Sequence, residues 1–193
     1  MALVPARQVG YTTIAFVGEV IEAMRGQFVT PEEGYDPPRG GLVSRVEHRG
    51  GLLVALDRMW PESGCEAMAW VNVLRRWTST TFPQQSPPDA CGGFRVLHLQ
   101  AGVARCATTI TDQGLLPTAE EEEAQALTLL DDADRLHLAL CDAARRASDR
   151  GIIDAWTMNE WEPVGPDGGV VAGQQTITVQ LSHVRLPQQE GNR

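Results

Sequence analysis

The fold is decided by the stretch Thr118–Gly151, which reads TAEEEEAQALTLLDDADRLHLALCDAARRASDRG. Its first four residues have the spacing of a capping box, in which Thr118 is the N-cap and Glu121 the N3 residue. Acidic residues open the stretch and arginines collect near its end, as the helix dipole favours, and Gly151 then stops it. The stretch predicts a helix of about 30 residues, or about 45 Å. Its apolar residues recur at helical spacing: Leu127, Leu130, Ala133, Leu136, Leu140 and Ala144.

A shorter helix is predicted near the N-terminus, at Tyr11–Phe28, ended by Gly26 and then by Thr30-Pro31. Its expected core stripe consists of Ile14, Val17, Ile21 and Met24, widened by Phe16 and Val20. The predicted strands are Leu42–Glu47, Leu52–Trp60, Ala67–Thr81, Phe94–Ala107 and Val170–Leu186, with a hairpin-like turn at Arg49-Gly50-Gly51.

Most of the segments between these elements are predicted to be loops. Pro31–Gly41 and Phe82–Gly93 are rich in proline and glycine, Ile152–Glu162 is extended or irregular, and Pro163–Gly169 is a tight loop. We therefore expect one domain over residues 1–193, with an arm at 1–8 and a disordered tail at 187–193. The predicted class is α+β: an N-terminal helix, a mainly antiparallel sheet, one long helix packed on one face, and a final strand returning to the sheet.

The charge of the chain argues against a DNA-binding protein. It has 16 basic and 25 acidic residues, for a formal net charge of −9. Duplex binders usually carry a basic face, because phosphate neutralisation supplies most of their affinity. An acidic surface instead lets DNA slide past without adhering. We expect no signal peptide and no membrane span, and therefore a cytosolic protein.

The four cysteines are too few and too scattered for a disulfide scaffold or a structural zinc site. Cys106 and Cys141 are expected to be buried small hydrophobes. Cys65 and Cys91 flank one strand and its following loop, and the sequence leaves open whether they pair, although a cytosolic pair more often stays reduced.

The best candidate for catalysis is Asp131, Asp134 and His137, which share one helix face at a spacing of three. Such a trio can meet a metal ion, as in a small metal-dependent hydrolase. The simpler interpretation is a solvated helix face on which Asp131 and Arg135 form an i,i+4 ion pair. The histidines have no motif partner; His98 and His183 lie on the polar sides of strands. We therefore predict no enzyme, no catalytic residue, no metal and no cofactor.

Large aromatic side chains beside loops are the best candidates for protein contacts. Trp156 and Trp161 either anchor a partner or cap the sheet edge, and the two interpretations are equally favoured. Tyr35 and Phe82, in the two long loops, complete the set of contact candidates.

Several segments together resemble the tail terminator proteins of long-tailed (siphovirus-type) bacteriophages, especially those of actinobacterial hosts. The resemblance covers most of residues 9–184. It rests on Ala69-Trp70-Val71 with Arg75, Thr80-Thr81-Phe82-Pro83, the strand ending Gly102–Ala107, the helix with Asp131 and Asp134, and Trp161–Gly169 leading into Thr176–Val179. The chain departs from the pattern in the charged, glycine-rich segment Arg39–Trp60 and at Gln174-Gln175, where an aromatic residue is common.

The resemblance implies a homo-oligomeric ring, typically a hexamer, at the head–tail junction of the virion. Such a ring caps the tail tube protein, contacts the head–tail connector or stopper protein, and lets DNA pass without specific binding. The same order of elements is expected for that family. Two neighbouring connector proteins remain alternatives: an adaptor, expected to be mainly helical, and a stopper, expected to be a small β-barrel.

Overall fold

The computed structural model describes residues 11–31, 36–50, 59, 64–85, 93–108, 116–167 and 169–182. These contain helices α1 (Tyr11–Phe28) and α2 (Ala119–Asp149) and strands β1 (Val46–Arg49), β2 (Met68–Ser79), β3 (Phe94–Cys106), β4 (Ile153–Asp167) and β5 (Val170–Leu181). The predicted α+β class is confirmed, including the N-terminal helix, the long helix and the return of the final strand to the sheet. The predicted arm at 1–8 and tail at 187–193 lie outside the described residues.

The strands form one sheet in the order β1-β2-β3-β5-β4. All neighbouring pairs are antiparallel except β1 and β2, which run parallel with Val46 opposite Ala69. The first strand begins at Val46 and not at Leu42. The residues before it are irregular because Val43 is buried in the core and its N–H donates to the Phe28 carbonyl, not to a neighbouring strand. The predicted second arm of a hairpin, Leu52–Trp60, lies outside the described residues apart from Met59.

Helix α1 has the predicted bounds, and most of its predicted core stripe is buried. The exception is Ile14, which is 72% exposed, whereas Phe16 and Val20 are fully buried and Ile21 is half-buried against the core. Gly26 lies inside the helix and does not end it: the last turn is held in place by buried Phe28. The core residues of α1 are Phe16, Val17, Val20, Ala23, Met24 and Phe28.

Helix α2 confirms the predicted capping box. The Glu121 N–H donates to Thr118 Oγ1 at 3.3 Å, and the Thr118 N–H donates to Glu121 Oε2 at 2.8 Å. The predicted core stripe is wrong in the first half of the helix, where Leu127 and Leu130 are exposed. Buried apolar residues are confined to the second half and include several alanines that allow close packing: Leu136, Ala139, Leu140, Ala143, Ala144 and Ala147.

The centre of the sheet follows the predicted alternation. Inward-facing residues of β3 (Leu97, Leu99, Ala101, Val103) and β5 (Ile177, Val179, Leu181) are buried against the helices. On the opposite face, Trp70 lies flat against Gly102, where a Cβ atom would stand 2.2 Å from the indole Cζ2. A second, smaller apolar cluster surrounds this indole: Met59, Met68, Trp70, Ala104, Val170 and Ala172.

The segment after α2 contradicts the prediction of a loop at Pro163–Gly169. Strand β4 continues to Asp167, with three register shifts along its pairing with β5. The two prolines are compatible with this strand because β4 is at the sheet edge, where a missing N–H breaks no hydrogen bond to an inner neighbour.

The cysteines also differ from expectation. Cys65 and Cys106 form a disulfide with their Cα atoms 6.0 Å apart, and Cys106 is exposed, so it is not a buried small hydrophobe. Its position at the end of β3 places it beside the chain that enters β2. Cys141 is a half-buried free thiol, and burial raises its pKa. Cys91 lies outside the described residues.

Candidate subunit-contact surfaces

A buried ion pair joins the end of β3 to the middle of α2. Arg105 Nε and Nη2 donate to the two carboxylate oxygens of Asp132, at 2.6 and 2.7 Å. Both side chains are almost inaccessible to solvent. The remaining nitrogen of Arg105, Nη1, donates to the carbonyls of Gly40 and Gly41 at 2.7 and 3.1 Å. Burial raises the pKa of Asp132, and the hydrogen bonds and charge of Arg105 act in the opposite direction.

A second arginine extends this attachment along the preceding loop. Arg135 Nε donates to Asp131 at 2.9 Å, while its Nη2 donates to the carbonyls of Asp36 and Pro37 at 2.8 and 3.2 Å. The N–H of Arg39 also donates to Asp131, at 2.8 Å. The segment 36–41 is therefore held against α2 by two arginines whose charges are matched by carboxylates. This arrangement holds the loop in position, and the carboxylates of Asp131 and Asp132 are both occupied by hydrogen bonds from within the protein.

A cavity of about 480 Å³ lies beside this ion pair, under the first half of α2. Leu42, Leu129 and the Cys65–Cys106 disulfide contribute to its walls. Its polar groups already have partners: Gln125 Oε1 accepts from the N–H of Thr108 at 2.7 Å, and the other polar walls come from the Arg105 ion pair and the capping box. Each polar side chain in its described walls, apart from the cysteines, therefore already makes at least one hydrogen bond within the protein.

The Asp131, Asp134 and His137 trio is not brought together as a metal site. Asp131 is occupied by Arg135 and by the backbone of residue 39, which confirms the predicted i,i+4 ion pair. His137 faces Gln175 and Cys141, at 3.5 and 3.6 Å. Within the ranges that the structure describes, no group of three or more histidine, cysteine, aspartate or glutamate side chains can hold a metal ion.

The solvent side of α2 carries an apolar surface that sequence reasoning missed. At 3.6 residues per turn, eight residues between Glu120 and Arg145 fall within an arc of about 80° on the side away from the core. We call them the outer stripe: Glu120, Glu123, Leu127, Leu130, Asp134, Leu138, Cys141 and Arg145. The side chains of its three leucines are exposed: Leu130 is 58% exposed, Leu138 42% and Leu127 39%. The helical period was the available signal, but it does not say which of two apolar sides faces the core.

The tryptophans predicted as contact residues lie on the helix-facing side of the β4 edge. Trp156 and Trp161 are half-buried and pack against the core; Trp161 lies over Gly173, where a Cβ would stand 2.6 Å from the indole. They favour the sheet-capping interpretation. The exposed part of β4 contains Val164 and the acidic Glu160 and Glu162, and acidic side chains and prolines protect an edge from uncontrolled pairing.

Phe82 and Tyr35 are the two remaining residues that were predicted to contact a partner. Phe82 is half-buried and is followed by a cis peptide bond to Pro83. Tyr35 lies outside the described residues.

Beside the second apolar cluster, the sheet face away from the helices carries a row of polar side chains. His98 Nδ1 lies 2.9 Å from Thr178 Oγ1, and Gln100 donates to Gln174, which donates to Glu162. His98 lies on the polar side, as predicted, but it is half-buried; this burial, and then the charge of Arg75, lower its pKa. His183, the other predicted case, lies outside the described residues. These side chains form a hydrogen-bonded ladder across β3, β5 and β4.

No protein-family model matches the chain, and no curated protein matches it significantly. Among the described segments, neither helix is long and apolar enough to cross a membrane.

Proposed function

We propose that this protein is a structural, non-enzymatic virion component of a long-tailed phage: the tail terminator, a ring that caps the tail tube and joins it to the head connector. The observation that carries the proposal is the order and packing of the elements. An N-terminal helix, a sheet, one long helix on the same face and a returning strand are what the resemblance implies. That combination favours a terminator over a mainly helical adaptor or a β-barrel stopper.

The two edges of the sheet are suited to a head-to-tail ring contact. Strand order β1-β2-β3-β5-β4 puts β1 and β4 at opposite ends, and the two edges are unlike, since β1 has 4 residues and β4 has 15. Unlike surfaces on one subunit generate a closed ring when the rotation between neighbours divides a full turn. We assign the ring contact to these two edges, with Val164 at the β4 side. The mechanism is steric: one ring face matches the last ring of the tube, and the other accepts the connector.

The charge of the chain supports passage of DNA through such a ring. A net charge of −9 gives each subunit a surface that repels phosphate, so DNA moves through the channel without adhering. The hydrolase alternative is disfavoured because Asp131, its first presumed ligand, is engaged by Arg135 and a backbone N–H. The protein then acts in the host cytoplasm during assembly and afterwards at the head–tail junction.

Light scattering of the protein with and without assembled tail tubes tests the proposal. We expect ring-sized oligomers that bind tube ends and are visible there by negative-stain microscopy. Val164→Glu should abolish the rings, because it replaces the apolar contact at the β4 edge with a further carboxylate beside Glu162. Ile14→Glu is the matched control, since it introduces the same charge at an exposed apolar residue of α1 and should leave the rings intact.

The outcomes separate two claims. If the wild-type protein neither forms rings nor binds tube ends, the proposed function is wrong. If rings form equally well with Val164→Glu, only the assignment of the contact to the β4 edge is wrong.

A further inference from the structure

The outer stripe of α2 is an apolar surface on the solvent side of a two-layer fold, and its charges are ordered along the helix. Glu120 and Glu123 lie near the N-terminal end, three exposed leucines occupy the middle, and Arg145 lies near the C-terminal end. The Arg145 side chain is 70% exposed and its nearest acidic partner, Asp142, is 3.9 Å away. Apolar residues on a helix normally face a neighbour, so this stripe indicates a docking surface.

We propose that two copies of the free protein pair through their outer stripes, with the two α2 helices antiparallel about a twofold axis. The spacing of the stripe is nearly symmetric about its midpoint. Reversal of a second copy therefore places Glu120 opposite Arg145, Leu127 opposite Leu138, and Glu123 opposite Cys141. Every contact occurs twice, as a twofold interface requires.

The charge pattern selects a second copy in this orientation. In a parallel pair the glutamates of both helices meet at one end and the arginines at the other. The antiparallel pair brings each acidic end against a basic end and also opposes the two helix dipoles. Two copies that each carry a net charge of −9 repel at long range, so this local complementarity is needed for them to associate.

Asp134 identifies the weak point of the pair. It lies close to the twofold axis, where it faces Leu130 of the second copy. Pairing therefore removes water from the Asp134 carboxylate and surrounds it with apolar side chains, which costs free energy. The described charged groups around it on α2 do not compensate for this, since Asp131 and Arg135 are paired with each other. The pair is therefore weak and reversible, and it covers the leucines of a subunit that has not yet joined an assembly.

This proposal does not rest on the proposed function, because it uses α2 and leaves both sheet edges free. Sedimentation velocity over a dilution series measures the pairing in the Val164→Glu background, which keeps the sheet edges from forming rings, with circular dichroism to check the fold of each variant. Glu120→Arg or Arg145→Glu alone should weaken the dimer roughly tenfold, since each dimer contains two such pairs. The combination of both changes should restore it. Asp134→Leu should tighten the dimer.

Cysteine cross-linking tests the register. Glu123→Cys should join to the native Cys141 of a second copy under mild oxidation, giving a covalent dimer on a non-reducing gel. Glu122→Cys is the matched control, because that residue is exposed on α2 but outside the outer stripe and should give no 122–141 product. A Val164→Glu protein that is monomeric at all concentrations, no restoration by the charge swap, or equal cross-linking of the control would each overturn the proposal.

Discussion

Replacement of Asp132 by alanine should cost about 3–5 kcal/mol of unfolding free energy, the range for removing one partner of a buried ion pair. Asp132 is fully buried, and its two oxygens accept from Arg105 at 2.6 and 2.7 Å. The variant leaves the guanidinium buried without its counter-charge and weakens the attachment of Gly40 and Gly41 to α2. Domains of this kind have only about 5–15 kcal/mol in total, so the loss is a large part of the stability.

Urea denaturation followed by circular dichroism and tryptophan fluorescence measures the loss as a fall in midpoint at an unchanged slope. Asp134→Ala is the control, because that exposed residue has no buried partner and should change stability by less than about 0.5 kcal/mol. The double variant Asp132→Leu, Arg105→Met should lose less than Asp132→Ala, since it removes both charges together. A loss below about 1 kcal/mol for Asp132→Ala would refute the claim that this ion pair holds the loop.

Three further predictions concern other parts of the fold. Gly18→Ala should stabilise the protein by about 0.5–1 kcal/mol, because Gly18 is inside α1 and an added Cβ meets nothing within 4 Å; unchanged or lower thermal stability would contradict this. Peptide mapping without reductant should show Cys65 joined to Cys106, with Cys141 free to alkylate; a Cys65 peptide joined to another cysteine would exclude the pairing. The lowered pKa of His98 contributes stability above pH 6.5 that is lost as pH falls through the folded-state pKa. The wild type should therefore lose stability more steeply than His98→Gln on acidification. Parallel curves of stability against pH for the two proteins would contradict this prediction.

The features that the sequence predicted well are local ones. The α2 capping box depends on residues three apart, and both of its hydrogen bonds are present. The alternation of β3 and β5 likewise depends on nearest neighbours along the chain. Helical periodicity was ambiguous where a helix is apolar on two sides: Ile14, Leu127 and Leu130 have the right spacing and are exposed.

The features that were missed depend on contacts distant in sequence. The Cys65–Cys106 disulfide joins residues 41 apart, and the Arg105–Asp132 pair joins a strand to a helix. The sequence did contain one signal for the Arg105–Asp132 pair. Arg105 continues the inward alternation of β3, and a buried arginine needs an acidic partner. Strand β4 was misread because its prolines are compatible with a strand only at the sheet edge, and edge position is a property of the whole topology.

The central claim is tested most directly by the length of tails. Tails are assembled from the other structural proteins of the same phage, with and without this protein, and measured by negative-stain microscopy. The proposed terminator predicts one sharp length when the protein is present and long tails of uncontrolled length, unable to join filled heads, when it is absent. Tails of normal, uniform length in its absence would contradict the proposed function.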